Sequence, residues 1–195
     1  VDAITDKTQT DMDIVIDGAR IADIAPHGSK PYPAGARVIE APDLTAIPGL
    51  IEFHAHTQKD FGSNVEKAWL AYGVTTVRDP GNQPYHGVED REAAEAGVRL
   101  SPRIYTTGNL MEWQRVYYKM GVAISGPAEM EMELQRAKAL KYDMIKSYVR
   151  MPDLQQRRLV EAGHVGFIEG VLPKPLADID EWQTQKQAQA MSAGT

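Results

Sequence analysis

From Pro48 to Ala162 short apolar runs alternate four times with helical segments, and this rhythm limits the possible folds more than any other feature of the chain. Strands are expected at 51–56, 75–78, 103–107 and 144–149, with helices at 65–72, 88–96, 127–140 and 153–162. A helix between successive strands returns the chain to the same sheet end, so the strands pair in parallel with helical crossovers. The third helix has the clearest start, with Gly126 before it, Pro127 in its first turn and acidic residues near its positive end. Upstream, residues 11–24 alternate polar and apolar positions around Asp17-Gly18, a strong hairpin signal. A further strand-like stretch is expected at 36–41, after the turn-rich 30–35, and 43–47 leads into the next strand.

Within the first βα unit, Pro48-Gly49 punctuates the chain, and Leu50, Ile51 and Phe53 give the apolar run of a buried strand. His54 and His56 close that run two positions apart. Since a strand has a period of two, both imidazoles leave the same face. Two neutral imidazoles converging at a strand end make half of a metal site, although the same pair also suits a solvated strand edge. The chain has no cysteine, so disulfides and thiolate chemistry are excluded, and any metal would be held by nitrogen and oxygen.

The runs PGLIEFHAH (48–56) and YGVTTVRDPG (72–81) resemble the amidohydrolase superfamily, where PGLID-x-H-x-H ends the first barrel strand and GVTTVRD forms the second. DGARIADI (17–24) followed by VIEA (38–41) is similar to the meander that makes the family's flanking β-sandwich. The resemblance implies an α/β fold, a partial (β/α)8 TIM-like barrel of about four βα units with a small flanking β-sandwich. The N-terminal part of the sandwich is expected at 1–47, the first half of the barrel at 48–164, and a segment returning to the sandwich at 165–195. A complete barrel takes roughly 250 residues, more than the 195 present. Residues 167–170 and 175–179 resemble a segment near the C-terminus of many amidohydrolases, so the chain is expected to pass from the fourth helix to the end of the family fold. A true deletion would leave two parallel edges open to self-association, which makes a homo-oligomer an expectation.

The same resemblance makes His54 and His56 ligands of a divalent metal, with Zn²⁺ the leading expectation and one or two ions per site. In MIKSYV (144–149), Lys146 matches the lysine that many binuclear members carboxylate as a bridging ligand. An unmodified ammonium cannot ligate, having no lone pair. Two further family histidines and the general-base aspartate have no matching position. Asp79, at the end of the second strand, is expected to hydrogen-bond behind the metal ligands. His86, in the loop after that strand, and Tyr105, Trp113 and Tyr148 are candidates for substrate contacts, because βα loops set specificity in barrel enzymes. Trp113 equally suits packing over the barrel edge. His164, just after the fourth helix, and His27, in the sandwich-like loop, are expected outside the site.

Composition narrows the function further. The chain is 43% hydrophobic and 25% charged, as ordinary folded domains are. Its net charge of −6 and the lack of any Lys/Arg cluster argue against nucleic-acid partners. No apolar stretch approaches the roughly 20 residues needed to span a bilayer, so no membrane partner is expected. A soluble location, cytoplasmic or periplasmic, remains open. Val1 is expected to be a processed or trimmed end. No GxGxxG or GxxxxGK[ST] occurs, which disfavours a nucleotide-binding module. The expected activity is metal-dependent hydrolysis of a small amide or other C–N bond, in a cyclic amide or dipeptide-like substrate. The subgroup the strands most resemble is the imidazolonepropionase and Xaa-Pro dipeptidase-like branch. The alternative is an inactive amidohydrolase-like fragment that acts as a scaffold or needs a second chain to complete its site.

Overall fold

A computed structural model describes residues 7–57, 64–148 and 150–167, and the chain divides at Leu50 into two units. In the first, β1 (Met12–Asp17) and β2 (Arg20–Pro26) form an antiparallel hairpin. Its turn is Gly18-Ala19, one residue beyond the position expected, because Gly18 takes the left-handed conformation (φ +57°) that a side chain would strain. The strand expected at 36–41 is absent, and residues 36–47 run as irregular chain with a turn at 42–43. Val38 and Ile39 are exposed there, so a short apolar run without a pairing partner does not make a strand.

In the second unit the βα rhythm holds. The order is β3 (Leu50–Glu52), α1 (Asn64–Ala71), β4 (Val74–Asp79), α2 (His86–Glu95), β5 (Arg103–Thr106), β6 (Leu110–Trp113), β7 (Gly121–Ile124), α3 (Pro127–Ala139), β8 (Lys146–Ser147) and α4 (Asp153–Phe167). The four expected helices form, the first three within two residues of the expected bounds at either end, while α4 runs five residues past its expected end at 162. Two sheets result, in the orders β3-β4-β5 and β7-β6-β8, and the β4–β5, β6–β7 and β6–β8 pairs are parallel. No barrel closes among the described residues.

Two differences bear on the site. The expected loop after β5 contains two strands, β6 and β7, and β6 is central to its sheet. Strand β3 ends at Glu52, so His54 and His56 lie in the bend beyond the strand rather than within it. The segment expected at 165–195 lies outside the described residues from position 168 on, and Val149 likewise.

The main core lies between the second sheet and two helices. Met111 and Ile124 pack with Met130, Leu134, Met151 and Leu159, and Trp113, Val122 and Ile145 close around them. Met111 and Trp113 therefore face α3 and α4, and the alternation of a strand sends Leu110 and Glu112 to the opposite face. Parallel register pairs Leu110 with Lys146 and Met111 with Ser147, which places Lys146 on the Leu110 face. Against the first sheet, Gly87 of α2 abuts Thr106 so closely that a Cβ would overlap its hydroxyl. Among the described residues, no helix is long and apolar enough to cross a membrane.

Candidate metal centre

The site is built at the C-terminal ends of β3 and β4, beside Leu110 at the start of β6 and Lys146 at the start of β8. After Glu52, whose carboxylate accepts the His54 backbone N–H at 3.0 Å, the chain bends, and Ala55 N–H returns to the Arg78 carbonyl at 3.2 Å. This brings the His54 and His56 rings edge to face with centroids 5.5 Å apart.

His56 is the better held of the two. Its Nδ1 lies 2.6 Å from the Gly81 carbonyl oxygen and 3.3 Å from Asp79 Oδ1. A carbonyl only accepts, so Nδ1 carries the proton and Nε2 keeps its lone pair in the neutral ring. The charged Asp79 partner raises the His56 pKa, burial opposes this, and the Gly81 carbonyl adds to the rise. By distance Gly81 is the principal acceptor, while the Asp79 charge does most to stabilise the protonated ring.

Asp79 itself is fully buried and fully engaged. Its Oδ2 accepts the Thr57 hydroxyl and the Asn82 amide, each at 2.8 Å, and its Oδ1 accepts the Gly81 N–H at 3.2 Å. A buried carboxylate needs such partners to offset its lost hydration. Asp79 therefore lies behind His56, as the sequence suggested, with both oxygens already occupied.

The loop that supplies these donors is tightly seated. Asn82 also donates to the Thr57 carbonyl at 2.8 Å and to the Thr57 hydroxyl at 2.7 Å, and its backbone N–H bonds the Gly108 carbonyl at 2.7 Å. At Gly81, a Cβ would overlap Leu110 Cδ2 and lie 3.4 Å from His56 Cε1, so a larger residue would have to displace the Leu110 side chain. Behind Gly108, the buried Tyr142 hydroxyl reaches the Pro84 carbonyl at 3.0 Å, and burial pushes its pKa up to about 12.

His54 is exposed, with its pKa lowered first by partial desolvation and then by the Lys146 ammonium, His56 and Arg78. Lys146, at the start of β8, also opposes protonation of His56. Its Nζ lies 5.8 Å over the Tyr148 ring. The structure thus brings His54, His56, Asp79 and Lys146 together. His54 and His56 offer nitrogen donors suited to a divalent cation, whereas Lys146 as an ammonium repels one and fits only after losing its charge. Among the described residues, no group of three or more His, Asp or Glu side chains gathers to hold a metal.

The candidate substrate residues separate. Tyr148 lies near Lys146, its ring 5.5 Å from Tyr118. Tyr105 projects on the exposed face of β5, beside Arg78 in register. Trp113 packs against the α3–α4 core, on the face opposite Leu110. His86 is the first residue of α2 rather than a loop residue, and it is half-buried. His27 lies in the first unit, bonded to Asp13 at 2.9 Å. His164 falls within α4, its side chain outside the described residues.

Two residues escaped sequence reasoning, Thr57 and Asn82, which complete the Asp79 network. Glu112, expected in a long loop after the third strand, instead lies in β6 on the Leu110 face. Glu112 is fully buried, with Oε1 accepting the Tyr117 N–H at 2.8 Å, and its Oε2 has no hydrogen-bond partner among the described residues. A polar residue inside an expected loop gave no hint of this burial.

No protein-family model matches the chain. A stretch of 63 residues, 32% of the chain, is 41% identical to adenine deaminase 2 of a Jannaschia species and covers 9% of that protein. Among solved structures, a candidate prolidase from Bifidobacterium longum matches over 79% of this chain and 42% of its own, at 26% identity and a TM-score of 0.70. A Xaa-Pro dipeptidase matches over 85% of this chain and 52% of its own, at 21% identity and a TM-score of 0.67. Bottromycin amidohydrolase matches over 84% and 34%, at 21% identity and a TM-score of 0.67. The last two likenesses speak to the fold alone. The chain spans 9% of the length of the deaminase and 42% of the prolidase-like protein.

Proposed function

We propose that this chain, which belongs to the amidohydrolase superfamily, carries the first half of a metal-dependent hydrolytic centre acting on an amide or other C–N bond in a small molecule. Members of this superfamily typically use divalent metals. The observation that carries the proposal is the seating of His56, whose Nδ1–H is fixed by the Gly81 carbonyl at 2.6 Å so that Nε2 is left to bind a cation.

His54 and His56 would hold the cation, Zn²⁺ by the chemistry of two imidazoles, and Lys146 would join them once converted to a carbamate. A divalent cation bound there supplies Lewis acidity, lowering the pKa of water and polarising the carbonyl to be attacked. The residues of this chain do the positioning. Asp79 and Gly81 orient His56, while Tyr148 beside Lys146 would line the substrate pocket. Asp79 does not serve as the general base, because Thr57 and Asn82 occupy Oδ2 and Gly81 and His56 share Oδ1. The base and further ligands would come from residues beyond the described ones. A cyclic amide or a dipeptide is the proposed substrate class.

A second reading, a scaffold or half-site completed by another chain, is favoured by the lack of a third His, Asp or Glu ligand among the described residues. The deciding experiment measures zinc content and hydrolysis of a small amide panel by the intact chain, with His54→Ala as control. Bound zinc and a hydrolysis that disappears in the variant support the enzyme. Bound zinc without hydrolysis supports the half-site, and no zinc with no difference between the chains overturns both metal readings.

A further inference from the structure

We infer that Asn82 is a positioning residue that sets the tautomer of His56, acting through Asp79 and the Gly81 carbonyl. The inference rests on the metal reading of His56 for its purpose, but not for its evidence.

In the irregular stretch just after β4, Asn82 binds three anchors. The two hydrogens of its side-chain amide are shared among Asp79 Oδ2, the Thr57 carbonyl and the Thr57 hydroxyl, all within 2.8 Å. Its side-chain oxygen accepts the Gln83 N–H at 2.8 Å, and its backbone N–H reaches the Gly108 carbonyl at 2.7 Å. Asn82 is thereby tied to the residue that follows His56 and to the loop after β5. These bonds fix the peptide immediately before it, whose carbonyl belongs to Gly81.

That carbonyl must approach the imidazole closely, and two features let it. Gly81 has no Cβ to meet Leu110, and its N–H is bonded back to Asp79 Oδ1. The Gly81 oxygen then stands 2.6 Å from Nδ1, where only a donor is tolerated. The neutral ring is left with its proton on Nδ1 and its lone pair on Nε2. Imidazole alone prefers neither nitrogen strongly, so a partner at one decides the other. Without Asn82, the buried Asp79 loses a donor and the Gly81 peptide loses its anchor on the far side, so the 2.6 Å contact is no longer enforced. Thr57, which shares the network, should act in the same direction but less strongly, since it touches Asp79 and not the Gly81 peptide.

The test is the nitrogen-proton correlation spectrum of the histidine rings in the intact, zinc-free chain, at a pH that keeps His56 neutral. The wild type should show His56 with the proton on Nδ1. Asn82→Ala should lose that preference or give a mixture, and Thr57→Val a smaller change, while Gln83→Ala keeps the wild-type pattern. Methyl signals of Met111 and Met130 in each variant report whether the core is intact. An Nε2 proton in the wild type, or an unchanged tautomer in Asn82→Ala with the core intact, overturns the inference. If Asn82→Ala fails to fold, Thr57→Val decides in the same way. Zinc titration of the same chains reads the consequence, with affinity in Asn82→Ala expected to fall about 10- to 100-fold. A wild type that takes up no zinc while its tautomer is Nδ1–H and Asn82-dependent would overturn the metal reading and sustain the positioning role.

Discussion

Replacing Asp79 by asparagine keeps the shape of the side chain and removes only its charge and one acceptor, so the effect can be worked out from its partners. Two donors face Oδ2, the Thr57 hydroxyl and the Asn82 amide, and two face Oδ1, the Gly81 N–H and His56 Nδ1. An asparagine presents one oxygen and one NH2, so in either orientation an NH2 confronts donors. With the NH2 toward Thr57 and Asn82, the hydroxyl can turn to accept, but the Asn82 amide loses a charged partner. With the NH2 toward Gly81, that buried N–H loses its acceptor, while His56 keeps the Gly81 carbonyl. One unsatisfied buried donor costs roughly 1–3 kcal/mol, and bonds that lose a charged acceptor weaken by about 1 kcal/mol each. The expected loss for Asp79→Asn is therefore about 2–4 kcal/mol. Urea unfolding followed by fluorescence of Trp69 and Trp113 measures it, as a lower midpoint at unchanged slope. A midpoint corresponding to less than about 0.5 kcal/mol of change would refute the view that this carboxylate organises the loop after β4.

Glu112→Gln should leave stability unchanged or raise it by up to about 2 kcal/mol, because it removes a buried charge with an unpartnered oxygen while keeping the acceptor for Tyr117. A loss above about 2 kcal/mol in the same urea assay would show that Oε2 has a partner. In the first unit, Asp13 raises the His27 pKa above 6.5 by its hydrogen bond, and His27 in turn lowers that of Asp13 below 3.8. The His27 contribution is complete below pH 6.5 and fades as pH climbs through its raised value. That of Asp13 is complete above pH 3.8 and fades as pH drops through its lowered value, so the contact is strongest between the two. Proton NMR titration should place His27 above 6.5, and Asp13→Asn should bring it back down toward 6.5; an unshifted wild type would contradict the contact.

Much of the second unit was legible because its helices repeat with a clear period and its strands are short apolar runs between them. The hairpin at Gly18 was legible for a similar local reason, since turn chemistry is written in two residues. Strands β6 and β7 were not. Leu110, Met111 and Glu112 are buried in succession, because one face meets the helix core and the other the site, so no alternation marks the strand. The glutamate in its middle resembles a loop residue. The opposite failure occurred at 36–41, where the apolar pair Val38-Ile39 reads as strand-like but finds no strand to pair with. At the site, the two histidines were legible as a motif, and Asp79 through its family context. Thr57 and Asn82 were not, since they lie 25 residues apart, follow no period and acquire meaning only when the chain folds the loop after β4 against the bend after β3.

The most direct measurement is X-ray absorption at the zinc edge of the intact chain loaded with one equivalent of zinc. Two imidazole nitrogens at about 2.0–2.1 Å are expected, falling to one in His54→Ala and to one in His56→Ala. A spectrum without imidazole scattering, or one that neither substitution alters, would contradict the assignment of His54 and His56 as the metal-binding pair.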